Sequence, residues 1–442
     1  MFFDPLVLIQ IDGGPILDYS KVRDISIYSS IDSTLPELTF KINDSDGRFI
    51  STMQLYLGQI VNVMVRDISS DGDKIAARDS HFKPLINLCT FTIKRIYDGL
   101  EAGNGYSGFI QVWCTQSWRT FGNYKPKIYS PQLNSNVIRD VCKNANKLAN
   151  IGINADYWNE SSDQGIIPRY KCGESDIEFL ETKVLPYTNI DDSNVFFFLD
   201  QFGYAHLTSF DKIKNAEEKA IIRAPDSQVN DVWEKVNKLK DEKKIEAYPY
   251  EDIKIDIGDI NILKKLGLIK QKVLIVNNNT GKVYDGIQKL SARMGGNSGK
   301  TFQNVVPVSL INMASMEATS SKIIENRIFD DAMAIAGNSE IQLEDMFQII
   351  VSVGNIVNEV LPGDTINLIP PLQIMDTSET INTPGLENKI VSWLDGKWVV
   401  KSVQYNQKEK SKASTSLTLI RPTFIYSSDY TTIDKPDRFY QI

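Results

Sequence analysis

LGQIVNV (Leu57–Val63) and PGDTINL (Pro362–Leu368) stand near opposite ends of the chain, yet they share a plan. Each has Gly, then Gln or Asp, any residue, a β-branched apolar residue, Asn and an aliphatic residue. The stretches C-terminal to them also correspond. TFTIKRIYD then GFIQVWCT in the first half resembles KWVVKSVQY then TSLTLIRP in the second. Alternation with period two marks half-buried strands, so both halves read as a Gly-led strand, an alternating strand, a polar turn and a closing strand. Order and spacing, not a single short match, are the signature of internal duplication. Gly58 and Gly363 are read as strand-entry positions where a side chain would disturb the turn, with Asp364 beside the second of them.

Outward from the first copy, LVLIQI (Leu6–Ile11), ISIYSSI (Ile25–Ile31) and LTFKI (Leu38–Ile42) are further short β-type runs. Six or more such strands without a helical period predict a small sandwich or barrel over residues 1–116. The texture changes after Trp118. SNVIRDVCKNANKLANIG (Ser135–Gly152) sets Val137, Val141, Ala145 and Leu148 on one helical face. GESDIEFLETKVLP (Gly173–Pro186) opens with Ser175 and Glu178 in capping-box spacing, and VFFFLDQFGYAHLTSF (Val195–Phe210) is a hairpin about Asp200–Gly203. Residues 117–215 are therefore expected to form an α/β unit. Residues 216–300 are expected as a charged elaboration, with a mixed-charge helix in Val232–Tyr248, a strand at Ile253–Ile257 and a hairpin at Lys272–Tyr284. Residues 301–425 are expected to hold a helix (Ser320–Asn338) and the second β-barrel, and 426–442 a C-terminal arm. The fold class is mainly β with α+β insertions: two similar small β-barrels plus an α/β domain.

Composition bounds the function. The 442 residues are 42% hydrophobic and 24% charged, with 48 basic against 56 acidic side chains and a net charge of −8. That describes a globular protein, and one poorly suited to gripping nucleic acid, which requires basic patches. A mildly acidic surface would let DNA pass without sticking. MFFDPLVLIQIDGGP carries Asp4 and Asp12 within its apolar run and has no basic lead, so it is not read as a signal peptide. The longest apolar runs fall far short of the ~20 residues of a membrane helix, and synthesis in a cytosol is expected. Cys89, Cys114, Cys142 and Cys172 form no Cys-x-x-Cys pair, and His81 and His206 are isolated; no zinc site or disulfide framework is suggested.

The sharper readings fail on chemistry. FKINDSDGRFI (Phe40–Ile50) invites calcium, but with Gly47 at loop position 6, position 1 is Ile42 and position 12 is Met53, which cannot complete an EF-hand cage. MGGNSGKT (Met294–Thr301) supplies Gly299, Lys300 and Thr301 of a phosphate loop, yet Met294 replaces the leading Gly and the adjoining TFQNVVPVSL cannot be the required helix. A nucleotide-binding enzyme is thus the alternative of another class. No carboxylate pair stands out for cell-wall hydrolysis. No catalytic residue, cofactor or metal is expected. Trp113, Trp118, Trp393 and Trp398 could stack sugars; Trp113 and Trp398 lie in alternating strands, where core or subunit interface is the better reading.

The ordered series resembles a known family. It runs from a D-x-x-G turn before a Gly-led strand, through SWRTFG, SNVIRDVCK, ESDIEFLETKV, FFFLDQFGYAHL and ENRIFDDAMAIAG, to LPGDTINLI and LDGKWVVKSVQY. This is similar to the central baseplate hub of contractile-tailed, T-even-type bacteriophages, a fold also found at the base of type VI secretion spike proteins. About 230–300 matches least well. The resemblance implies a non-enzymatic homotrimer in the virion tail, with two tube-like barrels per subunit, so that six barrels form a pseudo-sixfold ring. It also implies partners: a central spike protein, a tail-tube or tube-initiator protein, a tape-measure protein and baseplate wedge proteins, with DNA passing through the channel. The alternative within this architecture is the spike base of a type VI-like or phage-derived injection machine.

Overall fold

The computed structural model describes residues 7–17, 21–44, 55–66, 85–103, 105–145, 149, 151–163, 168–191, 195–225, 232–256, 271–277, 283–288, 308–313, 347–354, 356–370, 394–409 and 412–421. The first half contributes β1 (Val7–Ile11), β2 (Ile16–Leu17), β3 (Val22–Ser30), β4 (Ser33–Asn43), β5 (Ile60–Arg66), β6 (Leu85–Asn87), β7 (Phe91–Gly103) and β8 (Gly105–Gln116). Its main strands pair in the order β1–β5–β7–β8–β4–β3, all antiparallel. Period-two patterning explains the packing: Leu38, Phe40 and Ile42 of β4 turn inward onto Ile110, Val112 and Cys114 of β8, and all are buried.

Next come α1 (Trp118–Phe121), β9 (Lys127–Tyr129), α2 (Asn134–Lys143), β10 (Gly152–Trp158), β11 (Arg169–Lys171), α3 (Asp176–Phe179, continued by a π turn and a 3-10 turn to Tyr187), β12 (Val195–Leu199), β13 (Tyr204–Ser209) and α4 (Phe210–Asn215). The hairpin is β12–β13, with β10 parallel to β13. The N-cap half of the expected capping box forms: Ser175 Oγ accepts the Glu178 N–H at 3.2 Å. The helix read in Ser135–Gly152 is shorter than expected, because Asn144 ends it with a 3-10-like turn and β10 begins at Gly152. Leu148 lies outside the described residues.

The second half holds β14 (Glu218–Arg223), α5 (Val232–Lys243), β15 (Glu246–Asp256), β16 (Gln271–Asn277), β17 (Val283–Gln288), β18 (Val308–Met313), β19 (Phe347–Val353), β20 (Thr365–Ile369), β21 (Gly396–Glu409) and β22 (Lys412–Arg421). Six of these strands close on themselves in the order β14–β20–β21–β22–β19–β15, with β15 returning to β14. The pairing corrects the expected division of the chain. Residues 216–256, assigned to a charged elaboration, supply two strands of this barrel. The reason is visible in β14, where Ala220, Ile221 and Ile222 are all fully buried. A strand parallel to both neighbours and crossed by a helix is covered on both faces, and α5 sends Val236 inward while Lys238 and Glu242 stay in solvent. β16 and β17 of that segment pair with β18, which lies beyond it, in a three-stranded sheet of order β17–β16–β18. The turn after Asp44, the glycine-rich stretch 294–301, the expected helix 320–338, Trp393 and the terminal arm lie outside the described residues.

The duplication is present strand for strand. Mapping β1, β5, β7, β8, β4 and β3 onto β14, β20, β21, β22, β19 and β15 reproduces the pairing order. The Gly-led turns repeat at atomic level. Gly58 N–H donates to Ile93 O and Ile93 N–H to Gln59 O, both at 2.9 Å; Gly363 N–H donates to Val400 O and Val400 N–H to Asp364 O, both at 2.8 Å. A bulge comes after each, at Lys94 and at Lys401. Two differences remain: β1 runs antiparallel to β5 whereas β14 runs parallel to β20, and the β15–β14 closure has no β3–β1 counterpart among the described residues, β3 pairing with β21 instead. Connectivity causes the reversal, since β14 arrives from α4 of the inserted unit and leaves through α5.

Candidate assembly interface

Among the described residues, the strands of the two halves pair at one place. β3 lies antiparallel to β21, with Ile25 opposite Gln407, Ile27 opposite Tyr405 and Ser30 opposite Ser402. β21 can serve both halves because its bulge divides one edge: Gly396–Val399 pair with β20, and Ser402–Gln407 with β3. The bulge residue fastens the end of the seam. Lys401 O accepts the Ile31 N–H and the Ser30 hydroxyl, both at 3.0 Å, and its ammonium meets Asp32 at 3.0 Å. Gln404 Nε2 donates to Ser26 Oγ at 2.7 Å.

Behind the seam the β12–β13 turn locks three units together. Gln201 is buried; its Oε1 accepts from Ser29 Oγ on β3 at 3.1 Å, its Nε2 donates to Tyr405 OH on β21 at 2.9 Å, and its carbonyl accepts the Cys89 N–H at 2.9 Å. Tyr405 donates its own hydroxyl to Val357 O at 3.0 Å. A buried amide held in such a network specifies register, because slipping the seam leaves donors unmade in a dry site. Phe196, Phe198, Phe210 and Ile213 of the inserted unit pack there with Ile31, Val399 and Ile420.

A second polar knot ties the inserted unit to the second barrel. Asp200 Oδ2 faces His206 Nε2 at 2.8 Å, both groups buried, and the imidazole is stacked on Phe198 with centroids 4.7 Å apart. Tyr157, tilted against the same imidazole at 4.9 Å, donates its hydroxyl to Asp364 Oδ1, while Asp364 Oδ2 accepts the Leu361 N–H at 2.7 Å. Desolvation lifts the Asp364 carboxyl to about 6, against the hydrogen bonds that favour its ionised form. The folded chain therefore holds an extra proton between the unfolded carboxyl value of 3.8 and about 6. Stability contributed by this group is present on the acid side and is lost as pH rises through that window, by about 3 kcal/mol in total. Asp364→Asn removes the titration. Its urea midpoint relative to the parent is expected to rise between pH 4.5 and pH 7; a pH-independent difference would refute the assignment.

The residues singled out by sequence fall in different places. Gly58 and Gly363 open β5 and β20 with φ of +94° and +87°. Trp398 is fully buried in the second barrel, its indole N–H donating to Leu394 O at 2.7 Å. Trp113 is half-buried on the outer face of β8, under Lys94 and Arg95 at 4.8 and 5.0 Å. Trp118 is buried edge-on to Phe197. Gln201, Ser29, Tyr157 and Tyr405 were not legible as a group, since they are far apart in sequence and their meeting is tertiary. Among the described residues no three His, Cys, Asp or Glu converge on one point, and no helix is long and apolar enough to cross a membrane.

Comparison with known proteins adds the fold. No family model and no curated protein matches the sequence. Among solved structures, the 43 kDa tail protein of prophage MuSo2 from Shewanella oneidensis is 12% identical, matched over 94% of this chain and 98% of that one with a TM-score of 0.50. A tail protein from Neisseria meningitidis MC58 is 11% identical, matched over 94% and 96% with a TM-score of 0.51. A PdpA–VgrG complex is matched over 95% of this chain and 65% of that one, at 8% identity and a TM-score of 0.47. The chain thus has the fold of phage tail proteins, along nearly its whole length.

Proposed function

We propose that this chain is a structural baseplate hub of a contractile phage tail, acting as a homotrimer that joins a sixfold tube to a threefold spike. The observation that carries this reading is the matched strand order of the two halves, joined by a seam within the chain. Two like modules per subunit let three subunits present six near-equivalent surfaces, which is how a threefold body can seat a sixfold one. The tail-protein fold supports the setting, the virion tail. The work is geometric and the chain has no catalytic role in it. Its partners are a spike protein below, a tube or tube-initiator protein above, wedge proteins at the periphery, and a channel for tape-measure protein and DNA between the subunits. The acidic balance of 56 against 48 charges suits a channel that DNA must leave freely.

The mass of the purified chain tests this. One subunit is 49.9 kDa, so size exclusion with light scattering is expected to return about 150 kDa, three copies in a closed ring. A species that stays at the single-chain mass up to concentrations of about 100 μM, far above the Kd range of stable assemblies, would refute it.

A further inference from the structure

The seam inside the chain uses β3 of the first half and the Ser402–Gln407 edge of β21 in the second. Under the strand-for-strand mapping, the counterparts of these two surfaces are β15 and the Arg95–Leu100 edge of β7. Both are bare among the described residues. β7 carries β8 on one side, and on the other meets β5 and the Gly58–Gln59 turn only from Phe91 to Ile93. β15 carries β19 on one side, and on the other carries β14 only from Glu246 to Pro249. A row of unpaired N–H and C=O groups is a template for another strand.

Side chains around the two counterparts differ as well. Beside the β7 edge lies an open groove of about 510 Å³ whose lining includes Tyr56, Leu57, Lys94 and Tyr97. Tyr56, Leu57 and Tyr97 are 57%, 62% and 49% exposed. Their counterparts Leu361, Pro362 and Gln404 are half-buried or buried, at the seam or beneath the inserted unit. The same positions are covered in one half and open in the other. Lys94, counterpart of the Lys401 that fastens the seam, is part of the groove's lining.

We propose that the bare edge of β7 pairs with β15 of a second copy of this chain, repeating between subunits the β3–β21 seam found within one. Carrying the register across gives the contacts. Ile27 opposite Tyr405 becomes Ile255 opposite Asp98; Ser26 with Asn406 becomes Lys254 with Gly99; Tyr28 with Gln404 becomes Asp256 with Tyr97. The contact is head-to-tail, so each added copy presents a fresh β15 edge, and the series ends only when the ring closes. This rests on the homotrimer reading for the number of copies and on the strand mapping for the surface.

Paired cysteines test it. Cys172 is exposed, while Cys89, Cys114 and Cys142 are buried, so a Cys172→Ser background removes the accessible thiol. Residues directly opposite in an antiparallel pair have Cα atoms about 4.5–5.5 Å apart, within disulfide range, whereas those two residues out of register lie at about 7–8 Å. Full-length Asp98→Cys/Ile255→Cys is expected to give interchain disulfide-linked species under mild oxidation, with Asp98→Cys/Ile253→Cys several-fold lower. Leu57→Asp is expected to shift the unlinked protein towards single-chain mass. A species of three copies that links no better through the matched pair than through the offset pair overturns the seam and leaves the trimer standing. Efficient matched linking in a body of another copy number upholds the seam and overturns the trimer. A chain that never associates overturns both.

Discussion

Trp398→Ala is expected to cost the second barrel about 3–5 kcal/mol, the range for removing a large aromatic from a packed core. Trp398 is 1% exposed, and three interactions go with the ring. Its indole N–H donates to Leu394 O at 2.7 Å, its face carries the Arg421 guanidinium at 4.2 Å, and its body fills the barrel between β20 and β21, opposite Ile366. Arg421 is the aggravating factor. Burial has already pulled it down to about 10, and it is held by the Asp395 and Lys397 carbonyls. Without the indole that cation would sit beside a void in a poorly solvated site. Trp113→Ala is the internal control. Half-buried on the outer face, with a 3.4 Å contact to Glu37 and two cations above it, Trp113 should cost about 1 kcal/mol. Urea midpoints followed through hydrogen exchange at β20 and β21 separate the two. Equal losses would mean that Trp398 is not a core residue.

The same contrast shows what a sequence can and cannot disclose. Trp113 and Trp398 look alike as letters, each an aromatic in an alternating strand, because period-two patterning tells which face a residue shares but not which face is covered. The strands themselves are legible wherever one face is wet: β3, β4, β7, β8, β21 and β22 stand out because their alternation is intact. β14 escapes notice as a barrel strand because both of its faces are buried, and a run such as KAIIRA carries no period. The β14–α5–β15 crossover lies within a segment rich in Lys and Glu: Lys238 and Glu242 face solvent on α5, while Lys240 and Lys243 pair with Glu246 and Glu218 at the starts of the two strands, and this run of charge hides them. The junction at Gln201 is beyond reach for another reason. Its partners Ser29 and Cys89 come from the first half and Tyr405 from the second, and nothing local marks a polar residue that will be satisfied only after three units dock.

The paired glycines give the sharpest comparison between the two copies of the repeat. Gly363→Ala should destabilise by about 2–5 kcal/mol and Gly58→Ala by about 1–2, although both occupy the same turn. The backbone contribution is common: φ of +87° and +94° places any Cβ against its own carbonyl region, worth about 1–2 kcal/mol. The difference lies in what surrounds the turn. A Cβ at Gly363 would stand 3.2 Å from Phe198 Cζ and 3.7 Å from Ile213 Cδ1 and Ile31 Cγ2, whereas one at Gly58 would meet nothing within 4 Å. Phe198 cannot move aside easily, because its ring is stacked on His206, itself held by Asp200. Forcing a methyl into that packing adds about 1–3 kcal/mol. The disparity is a physical consequence of the inserted unit covering one copy of the repeat and leaving the other open. Equal costs for the two substitutions, measured by urea denaturation of each single variant, would show that the hairpin β12–β13 does not press on the second turn.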